Sequence, residues 1–130
     1  MTAPHLPPDV PVGPRPDRVV PLLVDLGEVG GHRLTLLSAE VWDGWADLRY
    51  ARVAVDGSPR PLPRRVPPPS AWQVAIDGAP AEVWDAVGRG DRDFSNGEVR
   101  LRPAPAPGAT LTVTVALVPG EPPLTGTTTV

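Results

Sequence analysis

Apolar residues recur along this chain with a period of two. Over residues 110–118 the alternation is unbroken: Leu111, Val113, Val115 and Leu117 fall on one face, and Thr110, Thr112, Thr114 and Ala116 on the other. That is the pattern of a strand buried on one side. Residues 71–76 place Trp72, Val74 and Ile76 together, and residues 97–102 turn Val99 and Leu101 inward with Glu98, Arg100 and Arg102 outward. Residues 81–87 read as a further short strand. Residues 19–26 are apolar almost throughout, which predicts a strand buried on both faces, with Pro21 marking an edge near its start. About seven strands at this spacing, and no stretch of helical period, predict an all-β, immunoglobulin-like antiparallel sandwich.

The hairpin signal is clearest over residues 32–55. The pentapeptide Ala-Glu-Val-Trp-Asp occurs at residues 39–43 and again at 81–85, with unmatched flanks. Its first copy runs into Asp43-Gly44, the pair favoured in two-residue turns that need positive φ at both positions. Such a turn sets Trp42 against Trp45, Glu40 against Asp47 and Ser38 against Arg49, with Val41–Ala46, Ala39–Leu48 and Leu37–Tyr50 on the other face. Farther out, Leu34 and Leu36 would meet Val53 and Ala51 on the first face. One face cannot be the core at both ends, so a β-bulge is predicted near Ser38 or Tyr50. Glu40 opposite Asp47 is a like-charge pair, which Arg49, diagonal to Glu40, can relieve. Further turns are predicted over residues 28–31, at Asp77-Gly78, and at Asn96-Gly97 within a glycine-rich loop over 88–97.

Proline divides the chain. The arm 1–18 holds six prolines before Arg18 with little to bury, and reads as disordered. The sandwich spans 19–118, with a long Arg/Pro loop over 56–70, a length unusual inside a compact domain. Residues 119–130 read as a second disordered tail.

Composition adds mainly exclusions. The net charge of -3 gives no electrostatic reason to expect nucleic acid as partner. All 12 basic residues are Arg, which reads as the codon usage of a GC-rich genome. Without Cys there is no disulfide, thiolate metal site or Cys nucleophile. No signal peptide and no membrane-length apolar run is seen, so a cytoplasmic protein is expected.

Three stretches carry a resemblance: "GGHRLTLLSAEVWDG" from Gly30, "WQVAIDG" from Trp72 and "FSNGEVRLRPAPAPGATLTVTV" from Phe94. They resemble small uncharacterised actinobacterial proteins similar to bacterial immunoglobulin-like sandwich domains. The resemblance implies a fold over residues 30–118 and no site residue.

Candidate chemistry is sparse. His5 lies in the arm, and His32 opens a strand where an exposed histidine is ordinary. Ser38, Ser58, Ser70 and Ser95 lack the nucleophile-elbow setting. Asp91, Asp93, Ser95 and Glu98 are hard oxygen ligands, but their spacing departs from a calcium loop and reads as a polar turn. Trp72 reads as core. Trp42 and Trp45, side by side with Glu40, Asp47 and Arg49 beyond, would suit a sugar if exposed, and core packing is the ordinary alternative. Arg60, Arg64 and Arg65 form a basic patch without interleaved aromatics, which suits an acidic protein surface better than nucleic acid. The resulting expectation is a non-catalytic protein-interaction or structural module. It has no cofactor and no metal, takes another protein as partner, and can self-associate through an edge strand. A carbohydrate-binding module is the alternative, and an enzyme the remotest one.

Overall fold

The computed structural model describes residues 15–130; the proline-rich arm expected over 1–18 lies outside them up to residue 14. The chain is all-β. Nine strands form among the described residues, where about seven were expected: β1 (Arg18–Val29), β2 (His32–Val41), β3 (Ala46–Ala54), β4 (Trp72–Ile76), β5 (Ala79–Pro80), β6 (Glu82–Gly90), β7 (Phe94–Arg102), β8 (Thr110–Val115) and β9 (Leu124–Thr129). They make two antiparallel sheets, a large one ordered β1-β2-β3-β7-β6 and a small one ordered β5-β4-β8-β9. Between them lies one core, to which the large sheet gives Leu34, Leu36, Leu48, Tyr50, Val99 and Leu101 and the small sheet Trp72, Val74, Leu111, Val113 and Val115. This is the arrangement of a β-sandwich.

The β2–β3 hairpin carries the predicted irregularity. Val41 pairs with Ala46, Glu40 with Asp47, Ala39 with Leu48 and Ser38 with Arg49, as the turn dictated. The register then slips between Leu36 and Ser38, and Leu36 pairs with Tyr50, Leu34 with Arg52 and His32 with Ala54. Leu37 is the extra residue, left at the surface. The slip lies wholly in β2. Strand β3 keeps one parity, so Ala46, Leu48, Tyr50 and Arg52 all face inward, and Val53, expected inward, is exposed.

Turn chemistry departs from expectation at two places. At Asp43-Gly44 only Gly44 has positive φ (83°), whereas at Asp77-Gly78 both residues do (50° and 82°), which is the type I′ geometry. Asn96-Gly97 is no turn at all. β6 and β7 run to Gly90 and from Phe94, and Asp91 closes the turn, its Oδ1 accepting the N–H groups of Asp93 and Phe94 at 2.9 Å each. Gly97 is needed for clearance, since a Cβ there would lie 2.4 Å from the Val87 carbonyl oxygen.

Other expectations change at the sheet edges. β1 is an edge strand rather than one buried on both faces, and Leu23 is 77% exposed. The loop over 56–70 is tied down, with Val55 N–H donating to the Gly31 carbonyl and Arg60 N–H to that of Gly30, both at 2.8 Å. The stretch over 119–130, expected to be disordered, contains β9, which buries Leu124 and pairs along β8. Val130 is buried beyond it, with N–H to the Ala109 carbonyl at 2.9 Å.

Removing residues 124–130 exposes the β8 edge and strips two buried apolar side chains from the core, each contributing roughly 1.5–3 kcal/mol. The shortened chain is therefore expected to lose its cooperative melting transition in circular dichroism. An unchanged melting curve would show that the tail is dispensable.

Candidate functional site

The outward face of the large sheet gathers most of the ordered charge. Register places Glu40 (β2), Asp47 (β3), Arg100 (β7) and Asp85 (β6) in one row across four strands. The neighbouring row is Ser38, Arg49, Glu98 and Val87. Alternation along each strand points these side chains away from the core. Arg100 bridges its row, with Nε to Asp47 Oδ1 at 3.3 Å and Nη1 to Asp85 Oδ2 at 3.1 Å. Arg49 Nε donates to both Glu40 oxygens at 2.8 Å, and its Nη2 lies 3.8 Å from Glu98. The Glu40–Asp47 repulsion foreseen in the hairpin is thus offset by arginines from the same and the next strand.

The row closest to the β2–β3 turn is aromatic. Trp42 and Trp45 stack with ring centroids 5.3 Å apart and planes 4° from parallel. Trp84, from the irregular start of β6, meets Trp45 edge-on at 5.8 Å. Arg100 lies over Trp45 at 5.9 Å and Arg102 over Trp84 at 5.3 Å, within cation–π range. Arg102 also forks onto Glu82 at 2.7 and 3.0 Å. Trp42 and Trp45 are half-buried, and Trp84 is 39% exposed. The paired rings therefore cover one another; they do not lie open side by side.

Asp47 is the perturbed group of this face. Burial, the Glu98 charge and a hydrogen bond with Glu98 push its pKa from 3.8 to about 6, against the opposing pull of Arg100. Carboxylate oxygens of Glu40, Asp47 and Glu98 lie within 4.8 Å of one another. Arg49 and Arg100 already interleave with them, so the cluster is a charge-compensated network and supplies few of the six or more oxygens a hard cation takes.

A second polar cluster lies at the opposite end of the same strands. Arg52 is completely buried and His32 is 1% exposed, not at the surface as expected. Arg52 Nε donates to Ser95 Oγ at 2.8 Å, Nη1 to the Arg92 carbonyl at 3.1 Å and Nη2 to the Asp91 carbonyl at 2.6 Å. Its Nη1 also meets His32 Nδ1 at 3.0 Å. A guanidinium only donates, so Nδ1 accepts and Nε2–H donates to the Arg60 carbonyl at 2.7 Å. Both imidazole nitrogens are occupied, which leaves His32 no free atom for general-base work. The oxygens whose spacing departed from a calcium loop are also separated in space: Ser95 serves Arg52, Asp91 closes its turn, and Glu98 points to the outer face.

The sequence-predicted interaction residues thus fall into two groups that the fold holds apart. Trp42 and Trp45 sit at one end of β2 and β3. Arg60, Arg64 and Arg65 sit in the loop beyond the other end, with Arg60 paired to Glu121 and Arg64 and Arg65 exposed. Arg65 lines a cleft of about 260 Å³ with His32, Arg60 and Arg92. Trp84, Arg100 and Arg102 were not foreseen as partners of Trp42 and Trp45. The outward parity of Arg100 and Arg102 was legible, but Trp84 falls at the register shift between Val83 and Asp85, and the β3–β7–β6 order that brings all three there is set by contacts distant in sequence.

Comparison with protein-family models, curated proteins and solved structures finds no match. The chain's own geometry therefore carries its functional reading. No helix among the described residues is long and apolar enough to cross a membrane.

The raised Asp47 pKa has a definite sign in stability. Folded Asp47 holds its proton more tightly than in the unfolded chain, so its favourable contribution is full below pH 3.8 and is lost as pH rises through about 6. Carboxyl-carbon NMR is expected to show Asp47 titrating near 6, and Glu98→Gln to bring that midpoint part of the way back to 3.8. A midpoint unmoved by Glu98→Gln would mean that burial acts alone.

Proposed function

We propose that this domain is a non-catalytic protein-interaction module of the immunoglobulin-like sandwich class, and that its binding surface is the outer face of the large sheet. One observation carries the reading: Trp42, Trp45 and Trp84 gather with Arg100 and Arg102 on a single outward face. Trp and Arg are the residue types most enriched where binding energy concentrates, because they bury large surface and still offer directed donors. Around them the charged rows supply a polar rim, with Glu40, Asp47, Glu98 and Asp85 facing Arg49 and Arg100. The two antiparallel sheets around one core support the sandwich class. The engagement of both His32 nitrogens supports a role without catalysis.

The three tryptophans keep a carbohydrate-binding reading in view. A sugar platform needs an open ring face. Trp45 has Trp42 against it and Arg100 over it, and Trp84 carries Arg102. Protein recognition, in which a partner covers an aromatic–arginine cluster edge by edge, suits this arrangement better.

The test compares proteins cross-linked to the parent domain in cells of its native host with those cross-linked to a Trp84→Ala/Arg102→Ala variant. Retained circular dichroism and melting temperature establish that the variant folds. A partner captured by the parent is expected to bind the variant at least about 10-fold more weakly, the scale of one lost hot spot. Equal binding to both proteins would move the surface elsewhere. Sugar-dependent quenching of tryptophan fluorescence, without any such protein partner, would establish the carbohydrate reading instead.

A further inference from the structure

The large sheet ends at β6, and from Asp85 to Gly90 that strand pairs with no other strand on its outer side among the described residues. The turn after it fixes which backbone groups are free. Asp91 N–H donates to the Phe94 carbonyl at 2.7 Å. Hydrogen-bonding residues alternate along an antiparallel pair, so Arg89, Val87 and Asp85 turn their N–H and C=O groups to β7, while Gly90, Gly88 and Ala86 turn theirs outward. Ala86 N–H agrees with this direction: it reaches back to Asp85 Oδ1 at 3.0 Å.

The side chains of this edge form a pattern symmetric about Val87. Asp85, Val87 and Arg89 share the outer face, opposite Arg100, Glu98 and Asn96 of β7. Val87 is 39% exposed, and Arg89 is exposed with no ion pair to another described residue. We propose that β6 pairs antiparallel with β6 of a second copy of this chain about a two-fold axis at Val87, extending the large sheet across both molecules.

In that register Val87 faces Val87 of the second copy, and Asp85 faces Arg89 on either side. Ala86 and Gly88 of opposite copies exchange N–H and C=O groups, with the Ala86 N–H leaving its present contact to Asp85. Residues directly opposite in antiparallel strands must point to the same face. Only an axis through a residue satisfies this for two identical strands. An axis at Val87 joins opposite charges, whereas one at Ala86 sets Asp85 against Val87 and leaves the charges unmatched.

The other edges are protected. β1 carries Pro21, two register shifts and Leu23 at φ 51°. β5 is two residues long, and β9 lies beside β1, with Leu124 next to Gly27 and Gly126 next to Leu26. β6 over Asp85–Gly90 has no proline and no register shift; of the usual devices against edge pairing it carries charged side chains, and the two-fold register sets these against opposite charges. A contact of five residues per copy is small and makes a weak dimer. The inference does not depend on the outer face binding another protein.

Sedimentation velocity of the full chain, up to about 1 mM to reach weak affinities, is expected to show a monomer–dimer equilibrium. Arg89→Asp and Asp85→Arg should each raise the dissociation constant at least about 10-fold by facing like charges. An equimolar mixture of the two should restore the dimer, because each strand then offers the other its opposite charge. If Asp85→Arg fails to fold, Val87→Lys serves in its place, setting two cations on the axis, and is expected to be monomeric. A parent chain that stays monomeric to 1 mM, or an Arg89→Asp chain that dimerises like the parent, overturns the proposal. The Trp84→Ala/Arg102→Ala variant is expected to keep its dimer, which separates failure here from failure of the outer-face reading.

Discussion

The one-residue slip at Leu37 is the constraint on which the rest of the large sheet depends. Without it, β2 would have to bury Val41 and Ala39 near the turn and expose Leu36, Leu34 and His32 farther along, or the reverse. By absorbing one residue, the strand keeps an apolar inner face over its whole length while β3 keeps a single parity. The slip also sorts the charges. On the turn side it leaves Ser38 and Glu40 outward, where they meet Arg49 and Asp47. On the far side it brings His32 inward, opposite Ala54 and beside Arg52.

Bringing Arg52 inward has a cost that the fold must offset. A guanidinium removed from water is tolerated when its donors are satisfied. Here no carboxylate does so: Ser95, His32 and the carbonyls of Asp91 and Arg92 take its N–H groups. One side chain of β3 thereby holds β7, the β6–β7 turn and the start of β2. Through the bond from His32 to the Arg60 carbonyl it also reaches the long proline-rich loop. A loop of that length would otherwise be free to move. Burial lowers the pKa of Arg52, and the charge of Asp91 opposes that shift.

What could be read in advance follows the range of the interactions. The bulge was legible because Leu34 and Leu36 conflict with Ala39 and Val41 within one strand. The clean alternation of β8 was legible for the same local reason. Arg52 was also within reach, since Leu48 and Tyr50 set the inward parity of β3, but an arginine is so seldom buried that Val53 seemed the better core residue. β9 was hidden because its inward positions are Leu124, Gly126 and Thr128, too weak a pattern without β8 and Leu26 to receive it. Asn96-Gly97 misled because a turn-like pair can serve close strand packing. The candidate site divides the same way: Trp42–Trp45 and Glu40–Arg49 lie within one hairpin, whereas Trp84, Arg100 and Arg102 join them only through the non-local order β3-β7-β6.

The outer face is ordered by contacts within the chain itself. Stacking between Trp42 and Trp45, the edge contact of Trp84, and the forks from Arg49 and Arg102 restrict side chains that would otherwise sample many rotamers. Exposed ion pairs of this kind contribute little to folding, typically under about 1 kcal/mol each. Their stronger effect is on association, where each rotamer-rich side chain that must be immobilised costs about 0.5–1.5 kcal/mol. A face whose arginines are held against tryptophan rings and carboxylates avoids much of that cost. The same holding disfavours ligands that need a bare ring, because an arginine or another indole would have to leave first. Rigidity thus favours a partner shaped to the existing surface and disfavours one that must rearrange it.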